Sequence, residues 1–204
     1  MAQTDVPAAG AQRRARGDRT RTAIIEAALA LFDAQGVQAT SIDEITAAAA
    51  VAKGTFYVHF HRKEDVLLER AAQLTHQLHA QAPPAGADAV AALRALADLT
   101  ASTVSAGRRA LIGRAVRELM GQRAHWERVL GARPTLGMVV EPLVAAGQRQ
   151  GVLRTDQTAR RLAHSLTVLW LDNVITWAER PEPRPLGREL ERSLALFLDG
   201  ALLR

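Results

Sequence analysis

SIDEITAAAAVAKGTFYVHF, residues 41–60, decides how this chain is read. Ser41 and Glu44 have the spacing of a capping box, in which the serine oxygen takes one orphan amide and the glutamate takes another. The helix they open is short: Ile42 and Ile45 face inward, and the alanine run breaks near Ala50–Val51. A second short helix begins with KGTFYVHF (53–60), which holds three of the chain's aromatic residues, including its only tyrosine, Tyr57. At about 100° per residue, Phe56 and Phe60 project to one side, toward Phe32, Ile45 and Leu29. Gly54, Thr55, Val58 and His59 fall on the opposite arc, with Lys53 and Tyr57 at its margins. That outer face is small and hydrogen-bonding, which suits a helix pressed into a groove. Helix, tight turn and second short helix predict a helix-turn-helix, whose second helix reads the DNA major groove. A small helix buried in an all-α core fits the same apolar spacing. The capping box, the basic segment upstream and Lys63 downstream favour the first reading.

Working outward, Asp18 to Gly36 reads as a helix capped by Asp18, with Ile24, Ala28, Leu31 and Phe32 as its apolar stripe and Gly36 ending it. From Lys63 a longer amphipathic helix carries Val66, Leu67, Ala71, Leu74 and Leu78. QAPPAGA (81–87) marks a bend or linker. Further helices are expected at 88–105, 107–130, 134–149, 156–179 and 186–203, with Pro134 in a first turn, Asp156 as a cap, and PEPRP (181–185) between the last two. The predicted fold is all-α, about nine helices. Residues 1–17 form a flexible basic arm, 18–64 the helix-turn-helix domain (motif 41–60), and 65–204 a larger C-terminal helical domain.

Composition narrows the function classes. The 204 residues include no cysteine, which excludes a disulfide framework, a thiolate metal site and a cysteine nucleophile. No apolar run approaches a membrane span, and the N-terminus lacks the apolar core of a secretory signal, so a cytoplasmic protein is expected. The net charge of +5 permits a nucleic-acid partner without demanding one. Its placement is more telling. Arg13, Arg14, Arg16, Arg19 and Arg21 cluster against a lone Asp18, a segment suited either to a minor-groove arm or to plain solubility, and the two lysines, Lys53 and Lys63, flank the second short helix. No G-x-S-x-G, Walker or H-E-x-x-H sequence supports an enzyme. The histidines give no third ligand near His59 and His61 or near His76 and His79, so neither a metal nor a cofactor is expected.

The stretch TRTAIIEAALALFDAQGVQATSIDEITAAAAVAKGTFYVHFHRKEDVLLE (20–69) closely resembles the N-terminal domain of TetR-family transcriptional regulators, with the resemblance running from Arg19 to Leu78. It implies a homodimeric, all-helical repressor (in some members an activator) whose C-terminal domain binds a small molecule and dimerises. Carried over, Thr40 and Ser41 hold phosphate at the start of the first motif helix. Lys53, Gly54 and Thr55 open the recognition helix toward bases and backbone, Tyr57 and His59 contact phosphate, and Lys63 grips phosphate from the next helix. Two positions depart from the family pattern: Ala50 stands where a turn glycine is usual, and Ala52 where a serine cap is usual. Arg62 likewise stands where a capping Ser, Asn or Asp often precedes the fourth helix.

In the C-terminal two-thirds the resemblance is architectural. It implies dimerisation through 156–179 and 186–203, where Leu162, Leu166, Leu169, Leu194, Leu196, Phe197 and Leu198 exceed one apolar stripe. Two recognition helices on one duplex imply a palindromic operator. An effector pocket is expected among Arg117, Met120, Trp126, Met138, Trp170, Asn173 and Trp177, suited to an apolar or flat aromatic ligand that Arg117 or Asn173 orients. The expected function is a sequence-specific repressor released by such an effector. A constitutive DNA-binding protein without effector, and a small helical enzyme, remain the alternatives.

Overall fold

A computed structural model describes residues 6–86, 88–121 and 135–201. Its described residues fold into nine α-helices: α1 (Val6–Gln35), α2 (Ile42–Ala48), α3 (Lys53–His59), α4 (Asp65–Gln81), α5 (Ala89–Ser105), α6 (Arg109–Gly121), α7 (Leu136–Arg149), α8 (Ala159–Glu179) and α9 (Leu186–Ala201). The all-α class is as expected from the sequence. The chain divides into two compact units, Met1–Leu67 and Leu68–Arg204, with the division inside α4 rather than at residue 64.

In the first unit α1 starts at Val6, so residues 6–17 are helical rather than a flexible arm, and Asp18 is not a cap. Asp18 lies inside the helix, its carbonyl accepting the Thr22 hydroxyl at 2.9 Å. The reason is local: Ala, Gln and Arg are strong helix formers, and Pro7 falls in the first turn, where a missing N–H costs nothing. Among the described side chains burial begins at Ile24, then takes Ile25, Ala28 and Phe32, and Leu31 is half-buried. Behind α3, Phe56 and Phe60 are 0% and 3% exposed, as the spacing predicts, and Ile45 is fully buried. Gly36 ends α1 at φ 85°.

The turn between α2 and α3 carries the departure that the sequence singles out. The amide of Ala50 donates to Ala47 O at 3.2 Å and that of Val51 to Thr46 O at 3.0 Å, a Schellman closure. That geometry requires a left-handed residue, and Ala50 takes it at φ 52°. The same closure after α7 uses Gly151 at φ 70°. An L-residue is disfavoured there by roughly 1–2 kcal/mol, against roughly 0.5–1 kcal/mol of extra chain entropy for glycine. Ala50→Gly should therefore stabilise the first unit, by up to about 1 kcal/mol in urea unfolding followed by amide exchange; a destabilised variant would show that the strain is relieved elsewhere. Ala52 caps α3 with no side-chain hydrogen bond, as its identity dictates.

At the next junction α4 begins at Asp65, not at Lys63. Asp65, 1% exposed, accepts the backbone N–H groups of His61 and Arg62 at 3.1 and 3.0 Å and pairs with the Arg62 guanidinium at 3.5 Å. The Asp65 carboxylate thus holds the two amides that lead into α4, while the first-turn amides go to backbone carbonyls, Asp65 N–H to Arg62 O at 3.2 Å and Val66 N–H to Lys63 O at 3.2 Å.

The second unit is built around α8, which packs on α6, α7 and α9, while α5 packs on α7 and α9. Its core includes Leu93, Leu96, Leu166, Trp170, Leu190 and Leu194, all essentially inaccessible. Asp88 caps α5, its carboxylate accepting Ala91 N–H at 2.9 Å. Thr158, not Asp156, caps α8 by accepting Arg161 N–H at 3.2 Å; Asp156 pairs instead with Arg154. Arg154 in turn closes the end of α9, donating its backbone N–H to Ala201 O at 2.8 Å and its guanidinium to Gly200 O at 3.1 Å. Of the seven apolar residues expected in excess, Leu162, Leu166, Leu194, Phe197 and Leu198 are buried within this one chain, and Leu169 and Leu196 remain exposed. No described helix is long and apolar enough to cross a membrane.

Candidate nucleic-acid interface

The capping box at Ser41 forms as expected. The Ser41 Oγ accepts Glu44 N–H at 3.2 Å, and Glu44 accepts the Ser41 N–H and hydroxyl, each at 2.7 Å. The Ser41 backbone hydrogen bond, then the Ser41 hydroxyl, then the Gln35 amide hold the Glu44 carboxyl below its ordinary value. Thr40 departs from its expected role. Its side chain is 1% exposed, and its hydroxyl donates to Gly36 O at 2.8 Å, so the group is spent closing the loop after α1.

On α3 the outer arc stands clear of the domain. Val58 is 78% exposed and Tyr57 48%, its ring held edge-on against Phe56 with centroids 5.7 Å apart. Gly54 is exposed, and a Cβ built there would meet nothing within 4 Å, so the fold itself does not require glycine. Thr55 and His59 are half-buried. Burial first, then the charge of Arg21, lowers the His59 imidazole below its ordinary value, which leaves it neutral at pH 7. Arg21 also lies over the Phe60 ring, 5.0 Å from its centroid, and so ties α1 to the end of α3.

Both lysines are engaged inside the unit. Lys63 Nζ donates to Thr40 O at 2.7 Å and to Gln38 O at 3.1 Å, stapling the approach to α4 onto the loop before α2. Lys53 Nζ lies 2.8 Å from Asp43 Oδ1 and 3.0 Å from Oδ2. That hydrogen bond and the carboxylate's charge hold the Lys53 ammonium above its ordinary value. Asp43 was not among the expected site residues. The only local signal was its place in an exposed first turn, two residues past the cap, and the partner ten residues away is a tertiary fact.

The effector candidates occupy unlike surroundings. Arg117 is an exposed residue paired with Glu179. Met120 and Met138 are 42% and 52% exposed. Asn173 donates its amide to Ser193 Oγ at 2.5 Å, joining α8 to α9. Trp177 is half-buried against the core. Trp170 is fully buried, and its indole N–H has no hydrogen-bond partner among the described residues. Trp126 lies outside the described residues. Among the described residues no group of histidines and carboxylates is arranged to hold a metal.

A family model described as "Bacterial regulatory proteins, tetR family" matches residues 24–69, and one described as "TetR/AcrR family transcriptional repressors, C-terminal domain" matches residues 66–200. Over 70 residues the chain is 40% identical to the HTH-type transcriptional regulator SrpR of Pseudomonas putida, a match covering 34% of this chain and 33% of that protein. Over 50 residues it is 48% identical to the regulator AcrR of Shigella flexneri, covering 24% of this chain and 23% of that protein. The match thus spans a third or less of these curated relatives. Among solved structures, Thermus thermophilus FadR, a TetR-family repressor in complex with lauroyl-CoA, aligns with a TM-score of 0.75 at 31% identity, over 90% of this chain and 96% of that one. SmeT, repressor of a Stenotrophomonas maltophilia multidrug efflux pump, shares the fold at a TM-score of 0.65 and 22% identity, over 90% of each chain.

Proposed function

Because the chain belongs to the TetR family of bacterial transcriptional regulators, we propose that it is a homodimeric repressor that binds a palindromic operator through α3 and leaves it when an acyl thioester enters the second unit. The observation that carries the DNA-binding half is the outer arc of α3. A seven-residue helix is clamped from behind by Phe56 and Phe60 while Gly54, Tyr57 and Val58 face solvent. A soluble domain gains nothing from exposing an aromatic ring and a valine on so short an element, and a major groove offers both phosphates and thymine methyls to them. Dimerisation through α8 and α9 is supported by Val168, Leu169 and Leu196, exposed on those helices at 38%, 43% and 74%.

For the effector, the support is the Trp170 indole, a buried donor without an acceptor among the described residues. Such a group costs about 1–3 kcal/mol while unsatisfied. An apolar ligand carrying one oxygen, as an acyl thioester does, satisfies it. FadR of Thermus thermophilus holds such a thioester, lauroyl-CoA. The test is to select operator duplexes from a random pool with the full-length protein, then titrate lauroyl-CoA. Tyr57→Phe should bind the selected duplex about five- to a hundredfold more weakly, losing one hydrogen bond per protomer, with an unchanged salt slope because no cation is lost. Lauroyl-CoA should release the wild-type complex where coenzyme A alone does not. Selection of no duplex would sink the DNA-binding reading, and release by neither compound would sink the effector.

A further inference from the structure

The Lys53–Asp43 pair spans the two helices of the motif, joining the first turn of α2 to the first residue of α3. It is open to solvent, with 54% of the lysine side chain and 70% of the aspartate exposed. A pair so exposed contributes little to stability, because solvent screens it, so folding does not account for it. Nor does capping: that role is filled by Ser41 and Glu44, whose carboxylate is turned onto the cap and Gln35. What remains is a carboxylate set against the leading cation of the recognition helix. For phosphate affinity alone the arrangement is counterproductive, since Asp43 repels the backbone and occupies the ammonium.

For reading bases it is apt. A G·C pair presents guanine O6 and N7 as acceptors and cytosine N4 as a donor, side by side in the major groove. The O6 and N4 atoms are themselves hydrogen-bonded, about 2.9 Å apart. The ammonium and carboxylate lie 2.8–3.0 Å apart, so they present a donor and an acceptor at matching spacing. We propose that Asp43 is a specificity-determining residue that withholds Lys53 from phosphate and, together with it, reads one G·C pair in each half-site. The proposal rests on the operator-binding reading above. An A·T pair with adenine in guanine's place sets its N6 amino group against the ammonium and thymine O4 against the carboxylate, and a C·G pair does the same with cytosine N4 and guanine O6, so both are rejected; the T·A orientation keeps an acceptor and a donor in register and is tolerated.

The experiment uses the full-length protein, operator duplexes selected from a random pool, a set of single base-pair substitutions and an unrelated duplex, across a salt series. Asp43→Ala and Asp43→Asn should both bind the unrelated duplex about fivefold more tightly per protomer at 0.15 M salt, with a slope steeper by about 0.9 per protomer, as the freed Lys53 neutralises a phosphate. In Asp43→Ala one G·C position per half-site should lose its discrimination against A·T and C·G, falling from about tenfold or more in the wild type to about threefold or less. Asp43→Asn keeps an acceptor and should retain more of it. Unfolding of both variants should match the wild type, which separates the effect from damage to α2. Unchanged binding of the unrelated duplex, or discrimination preserved at every position in Asp43→Ala, would overturn the inference while leaving the regulator reading intact. A wild-type chain that selects no sequence would overturn both.

Discussion

Phe56→Ala removes operator binding by unfolding the first unit while the second stays folded. Phe56 is fully buried, with the Phe60 ring at 5.7 Å and the Tyr57 ring edge-on at the same distance. It is the inward anchor of a helix of seven residues, too short to persist without tertiary packing. Truncating a buried phenylalanine costs about 3–5 kcal/mol, a large part of the roughly 5–15 kcal/mol that holds a typical domain, and a unit of this size sits at the low end. The two units can be followed separately. All three tryptophans lie beyond residue 68, and the only tyrosine lies in α3. Tryptophan-detected unfolding should be unchanged in the variant, while amide exchange across residues 24–67 accelerates to near the unprotected rate. Phe56→Leu, which keeps most of the buried volume, should retain DNA binding. A Phe56→Ala protein with native protection in α2 and α3 would show that the anchor lies elsewhere.

In the second unit, Gly113→Ala should destabilise by about 1–3 kcal/mol, against the usual sign for glycine to alanine inside a helix. Ordinarily that substitution gains about 1 kcal/mol of helix propensity. Here a Cβ at Gly113 would lie 2.4 Å from the Cβ of Ala178, where α6 crosses α8. Alanine has no rotamer with which to retreat, so relief requires the helices to separate, exposing apolar contact along the crossing. The companion variant tests this directly: Gly113→Ala with Ala178→Gly should recover most of the loss in tryptophan-detected unfolding. If the double variant is as unstable as the sum of the single ones, the cost does not arise at that contact.

These two positions illustrate how unevenly the sequence speaks. Phe56 was legible because four-residue spacing places it beside Phe60 on one helix face, a relation internal to a single turn. Gly113 was not, since its partner lies sixty-five residues away and the crossing exists only once α6 and α8 have packed. The same division runs through the interface. Ser41 and Glu44, three residues apart, cap as their spacing predicts, and the alanine at position 50 sits in the strained turn that its place after α2 implies. The helical extension before Asp18 and the Thr158 cap differ from expectation because helix propensity in the first case, and a competing cap two residues on in the second, prevail over a plausible capping aspartate.

The amino-acid order thus carries the local grammar: an all-α chain, a helix-turn-helix between Ser41 and Phe60, an inward Phe56–Phe60 face and an outward arc of Gly54, Tyr57 and Val58. Each follows from interactions within about four residues, which periodicity records. Long-range packing, by contrast, selected which polar groups are free to act. It turned Thr40 inward onto Gly36, bound Lys63 to the carbonyls of Gln38 and Thr40, paired Lys53 with Asp43, drew Asn173 to Ser193 and left the Trp170 indole without an acceptor among the described residues. Hydrogen bonds and ion pairs depend on the position of a second group that packing alone supplies, so a motif names the residues of an interface before it can say what each one holds.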